Sequence, residues 1–203
     1  MVKKLYEPET DYDFVPAVPP GAHDPWATGV LKKEHHHRLV ANLDKFARVA
    51  GIDKKWVSRP LEDYCVPDEI KWFRTFPRHS IDVHGLVYVG KGWDPTLETR
   101  MKALAGAFLR NFTTARYLTA KALAEAVDGQ DTPTESCILV PNFFAESRGL
   151  PAWRGELLYD ALLRRTAIGK KHVLGVADLQ LLRVTYGDAL WEHLTLNYQL
   201  IEA

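Results

Sequence analysis

Val83-His84-Gly85-Leu86-Val87-Tyr88-Val89, continuing into Gly90-Lys91-Gly92-Trp93-Asp94-Pro95-Thr96-Leu97, is the stretch on which the fold of this 203-residue chain turns. Its first half is an apolar, β-branched run that reads as a strand. Its second half holds a helix start. Asp94 is an N-cap acid, and Pro95 suits the first helical position, where its missing N–H costs nothing. Leu97, Met101, Leu104, Ala105, Phe108 and Phe112 then continue as an apolar stripe at helical spacing. A strand leading through a short glycine-containing loop into a helix is the opening of a βαβ unit.

The same alternation runs outward in both directions. Downstream, 115–118 reads as a short strand, Thr119 caps a helix to about 127, and 137–140 is a buried strand. The apolar positions Trp153, Leu157, Leu158, Ala161 and Leu162 mark a helix over 151–167; 172–177 is a further strand, Asp178 opens another helix, and 197–201 closes the sheet. Upstream, Leu39, Leu43, Phe46, Ala47 and Ala50 form a helical stripe that stops at Gly51, and a shorter helix spans 68–76. Five strands alternating with helices predict an α/β domain. Its sheet is doubly wound and mainly parallel, lies behind an N-terminal helical extension, and presents ligands at the carboxyl ends of its strands.

Length and composition set the bounds. At 203 residues and 46% hydrophobic content the chain buries roughly 70% of its unfolded surface in one core. Lys+Arg and Asp+Glu balance at 26 each, so any charged partner must be met locally. Segment 1–30 sets Lys3 and Lys4 against Glu7, Glu9, Asp11, Asp13 and Asp24 and holds Pro8, Pro16, Pro19, Pro20 and Pro25; it reads as an extended acidic arm. Segment 31–50 reads as a basic amphipathic helix and 51–203 as the α/β domain. Lys32, Lys33, Arg38, Lys45, Arg48, Lys54, Lys55 and Arg59 make 31–60 the one basic block. Cys137, inside an apolar run, is expected as a buried thiol, Cys65 beside acids is not expected as a thiolate, and no run approaches the ~20 apolar residues of a membrane span, so a cytoplasmic protein is expected.

The loop after the first strand is the first place to seek chemistry. A phosphate-binding Gly-x-x-x-x-Gly-Lys-Ser/Thr loop wraps phosphates in backbone N–H groups, neutralises them with its lysine and ligates magnesium with its hydroxyl. Counted from Gly90, the second glycine becomes Pro95, the lysine Thr96 and the hydroxyl Leu97. Pro95 has no N–H to donate, and Asp94 places an anion where the phosphate would bind. Glu34-His35-His36-His37 invites a metal reading, but adjacent helical residues diverge by ~100° and cannot share one ion; no metal site is expected. His79 and His84 with Asp82 are candidate acid/base groups without a nucleophile at motif spacing, and a hydrogen-bonded structural His84 is expected.

From Ala50 onward the chain resembles the AAA+ core of bacterial replicative helicase loaders of the DnaC type and of the related transposition-helper ATPases. The residues that carry the resemblance come in family order. Ala50-Gly51-Ile52-Asp53-Lys54-Lys55-Trp56 and Leu61-Glu62-Asp63-Tyr64 resemble the leader, and 85–90 resembles the strand entering the phosphate loop. The segment 111–123 resembles the second strand and its helix, and Cys137-Ile138-Leu139-Val140-Pro141-Asn142 stands where the acid-bearing Walker B strand would be. The segment 157–165 resembles the helix that follows, 173–178 the sensor strand, and 186–194 the segment around the arginine finger.

The resemblance implies a nucleotide site at Gly90, Lys91, Gly92, Thr96, Asn142 and Asp178. The chain departs from the family at these positions: Pro141 and Asn142 replace the paired acids, Asp178 replaces the sensor asparagine, and 186–194 contains no arginine. A neutral amide poorly replaces the carboxylate that organises Mg²⁺ and its water. The implied protein is a non-hydrolysing AAA+-like accessory factor of a replication system or mobile element, with no cofactor. Its expected partners are a protein such as a helicase or recombinase, and DNA. Lys32, Lys33, Arg38, Lys54, Lys55, Trp56, Arg164, Arg165, Lys170 and Lys171 are the candidate contacts, and Trp26, Trp56, Trp72 and Trp93 read either as interface anchors or as rings buried against the core. Two alternatives stand beside it: an active ATPase using Gly90, Lys91 and Gly92 with Glu146 as a displaced acid, and an unrelated small α/β enzyme.

Overall fold

A computed structural model describes residues 33–76, 84–90, 95–143 and 152–202. The acidic arm at 1–30, Lys32, His79, Lys91, Gly92, Trp93, Asp94 and Glu146 lie outside the described residues. The chain divides into two compact units at Arg38/Leu39. The described part of the first, 33–38, is the beginning of helix α1 (Lys33–Ala41), along which His35, His36, His37 and Arg38 are exposed.

The second unit is an α/β domain. After α1 come α2 (Leu43–Val49), the single turn α3 (Lys55–Ser58), a 3-10 turn at Leu61–Asp63 and α4 (Pro67–Thr75). Strand and helix then alternate: β1 (Gly85–Val89), α5 (Pro95–Arg110), β2 (Ala115–Tyr117), α6 (Ala120–Asp128), β3 (Cys137–Val140), α7 (Ala152–Ala167) and β4 (Lys171–Val176). Helices α8 (Leu179–Tyr186) and α9 (Asp188–Asn197) precede β5 (Tyr198–Glu202). All four strand pairs are parallel, in the order β2-β3-β4-β1-β5.

Strand periodicity builds two cores from one sheet. Leu86, Tyr88, Leu139 and Val173 face a layer made by Ala47 and Ala50, Val57, Trp72 and the α5 stripe of Leu97, Met101, Leu104 and Phe108. Val87, Ile138, Val140, Leu174 and Val176 face the opposite layer, made by Leu123 of α6, Leu158 and Leu162 of α7, Leu182 of α8 and Leu190 and Leu194 of α9. Both faces are covered, as the apolar strands require.

The helix ends follow their residues. Thr119 caps α6 by accepting from Ala122 N–H at 3.1 Å. Gly51 ends α2 in the left-handed region, φ +71°; Ile52 N–H returns to Ala47 O at 3.0 Å and Gly51 N–H to Arg48 O at 3.1 Å, a Schellman closure. One expectation is corrected. The stripe over 39–50 is carried by two helices, because Asn42 leaves helical geometry (φ −115°, ψ 19°). The helix opened by Asp178 stops at Gly187, φ +87°, where α9 begins.

Candidate functional site

The carboxyl ends of β1, β3 and β4 converge on one edge of the domain. β1 feeds α5 on one face and β4 feeds α8 on the other, so the topology switches between these neighbouring strands, the position where doubly wound sheets bind ligands. Gly90 stands at its rim, its N–H donating to Val176 O at 3.0 Å. Thr96, in the first turn of α5, is exposed, and Leu97 beside it is buried.

The exit of β3 is drawn tightly over β4. Phe143 N–H donates to Gly175 O at 2.8 Å, and Phe143 is fully buried in the core against Tyr186, whose hydroxyl donates to Phe143 O at 3.1 Å. Gly175 is required there: a Cβ would run into the Pro141 carbonyl and come within 2.7 Å of Leu97 Cδ2. Asn142 is thereby held half-buried at the strand end. Asp178 is exposed, and its Oδ1 accepts from Gln180 N–H at 2.7 Å and Leu181 N–H at 3.3 Å, so its carboxylate is the N-cap of α8.

The structure thus brings Gly90, Thr96, Asn142 and Asp178 to the same end of the sheet. A magnesium–triphosphate needs hard carboxylate oxygen beside the loop, and the described residues do not fit it. The end of β3 presents the Pro141 backbone carbonyl, the Asn142 amide and a buried ring; the β4 carboxylate is turned onto its own helix. Among the described residues no group of three or more His, Cys, Asp or Glu side chains is placed to hold a metal ion.

The basic candidates separate. Lys54 pairs with Asp44 at 3.0 Å, both exposed, and Lys55 lies 5.7 Å from the centroid of the Trp56 ring, which packs edge-on against Tyr64. Arg164 is exposed and Lys170 half-buried. Arg165 and Lys171 require correction: they are 1% and 6% exposed and form no surface patch. Of the two readings of Trp72 the core one holds: it is buried edge-on to Phe108 and Phe76.

Arg165 belongs to a polar cluster at the amino ends of the strands, which the sequence reading missed. Its guanidinium donates to the Pro133 and Glu135 carbonyls and, through Nε, to His172 Nε2 at 3.2 Å. Nε2 must therefore be unprotonated, and Nδ1–H donates to the Tyr198 hydroxyl at 2.8 Å. His84 and His193 lie alongside, ring centroids 5.1 Å apart and planes tilted by 40°. Burial, then Arg165, holds His172 well below the usual imidazole range; burial, then His84, lowers His193 to about 4. A second buried pair, Glu69 with Arg100, ties α4 to α5, and the Arg100 guanidinium lies 5.0 Å from the Tyr88 ring centroid. Both cysteines are buried free thiols, and burial pushes both thiols upward. The signal available in sequence was polar residues inside apolar runs: His172 before Val173-Leu174, and Arg100 within the α5 stripe.

No protein-family model and no curated protein matches the sequence. Solved structures do. The DnaC helicase loader superposes with a TM-score of 0.54 at 12% identity, over 74% of this chain and 99% of that one. The chain shares the fold of the DnaC helicase loader. DnaI matches at 0.51 and 12% identity, over 74% and 90% of the two chains. AMPPCP-bound DnaA from Aquifex aeolicus matches at 0.53 and 12% identity over 71% of this chain. The chain spans about half the length of that DnaA structure, 49%. Among the described residues no helix of this DnaC-like fold is long and apolar enough to cross a membrane.

Proposed function

We propose that the chain is a non-hydrolysing, AAA+-like accessory protein of DNA replication or of a mobile element. It acts by binding a protein partner of the helicase or recombinase class, and DNA through Lys32, Lys33, Arg38, Lys54 and Lys55. The DnaC and DnaI likeness supports the replication setting. The observation that carries the absence of hydrolysis is the chemistry at the ends of β3 and β4: a neutral Asn142 pinned by buried Phe143, and an Asp178 carboxylate engaged as a helix cap. Phosphoryl transfer consists almost wholly of positioning and charge neutralisation, and these groups supply neither. The fold then works as a rigid scaffold that presents its helical extension to a partner.

Titration with Mg-ATP and a phosphate-release assay test the reading. No turnover is expected, and Lys91→Ala leaves both traces unchanged. Turnover that Lys91→Ala abolishes overturns it in favour of an active ATPase with a nonstandard loop. Capture of a replicative helicase by the full chain, lost on deleting 1–50, tests the partner. DNA affinity falling with log salt at a slope of about −0.9 per phosphate contact tests the basic residues.

A further inference from the structure

The two edges of the sheet are treated differently. β2 has three residues, and its outward Tyr117 N–H already donates to Ala50 O at 2.8 Å. β5 has five residues, and among the described residues no strand or backbone group pairs with its outer edge. The alternation of β1 shows which of its groups are outward. His172 N–H donates to His84 O and Gly90 N–H to Val176 O, so even-numbered β1 residues face β4 and Gly85, Val87 and Val89 face β5. With Gly85 opposite Tyr198, these bond to Asn197, Gln199 and Ile201. The backbones of Tyr198, Leu200 and Glu202 therefore point away from the sheet. Tyr198 N–H is taken by Leu194 O, which leaves the Tyr198 carbonyl and both groups of Leu200 and Glu202 outward.

An open edge of this length is ordinarily blunted by lysine, proline or a bulge. Tyr198-Gln199-Leu200-Ile201-Glu202 has none of these, and its single charge is at the end. Leu200 is 43% exposed at its centre, and Leu196, four residues earlier at the end of α9, is 80% exposed.

We infer that β5 pairs antiparallel with β5 of a second copy of this chain, about a two-fold axis at Leu200, joining the two sheets into one. The edge is complementary to itself in that register. Each Leu200 N–H meets the carbonyl of the partner's Leu200, and each Glu202 N–H meets the carbonyl of the partner's Tyr198. The Tyr198 N–H, already engaged by α9, is the one donor missing from this register, so the Glu202 carbonyl opposite it is the single outward group left unmatched. The exposed leucines meet at the axis with Cα atoms about 5.5 Å apart, and Glu202 falls opposite tyrosine, so no like charges oppose. A charged partner strand would find one anion to pair with; a second copy finds every outward group but one matched. The inference goes beyond the functional reading and needs no nucleotide.

The test is the oligomeric state of the full 203-residue chain without nucleotide, by sedimentation equilibrium across about 1 to 200 µM, the range expected of a small edge contact. A dimer accumulating with concentration is expected, with the Leu200 and Glu202 amides protected from hydrogen exchange only in the dimer. Leu200→Pro removes an outward N–H and no intrachain bond, a substitution edge strands tolerate, and should give a folded monomer. Leu200→Lys places two cations at the axis and should do the same if the proline variant fails to fold. A wild-type monomer throughout the range overturns the inference. So does a dimer that persists in Leu200→Lys, or one in which those amides exchange as in the monomer.

Discussion

Asp178 illustrates how one carboxylate can be present in a cleft yet chemically engaged elsewhere. Its oxygen closes the first turn of α8, so Asp178→Ala should lower stability by about 1 kcal/mol, read as a shift of the urea midpoint, while Asp178→Asn, which keeps an acceptor, stays near wild type. A buried pair behaves otherwise. Glu69 is fully buried; it accepts from Arg100 and, through Oε2, from Val66 N–H at 3.1 Å. Glu69→Ala strands a guanidinium in the core and should cost about 3–5 kcal/mol in urea denaturation, whereas Glu69→Met with Arg100→Met should recover most of that loss. The aromatic ring under Arg100 does not replace the carboxylate: a cation–π contact contributes about 2 kcal/mol or more once desolvated, but it supplies no acceptor for the guanidinium N–H groups.

Between elements, backbone contact matters as much as side chains. The turn after α2 seals the β2 edge: Ala50 O accepts from Tyr117 N–H, and Gly51 lies so close that a Cβ there would overlap the Tyr117 carbonyl. Gly51→Ala combines a left-handed backbone with that overlap and should destabilise by about 2–4 kcal/mol. Amide exchange at Tyr117 distinguishes this local cause, because its protection should fall further than that of the central strands. This contact also explains why a three-residue strand persists at a sheet edge, while the longer β5 is left to find a partner.

At the scale of the whole molecule, the histidine cluster joins β1, β4, α9 and β5, with Arg165 of α7 and Tyr159 alongside, so its titration reports on the entire domain. A histidine lowered from 6.5 to about 4 is neutral in the fold, while the unfolded chain takes up its proton below 6.5. Stability is therefore full above 6.5 and declines as pH falls toward about 4, with His172 adding in the same direction. Urea midpoints measured across that window should fall with acidity, and His193→Gln should flatten the slope.

Local sequence determined the elements. Thr119, Asp178 and Gly51 act at their own helix ends through bonds spanning two to five residues, and apolar runs such as Cys137-Ile138-Leu139-Val140 are strands because only a sheet covered on both faces hides every second residue on each side. The order of those elements was enough to place Gly90, Asn142 and Asp178 at one end of the sheet. Local sequence did not show that Arg165 and Arg164, adjacent and chemically alike, point one into the core and one into solvent. Nor did it show that Glu69 and Arg100 would meet across 31 residues, or that Phe143 would pin the end of β3. Those outcomes depend on which helix face meets the sheet, and burial converts an ordinary charge or ring into a fixed partner only after distant segments have closed around it.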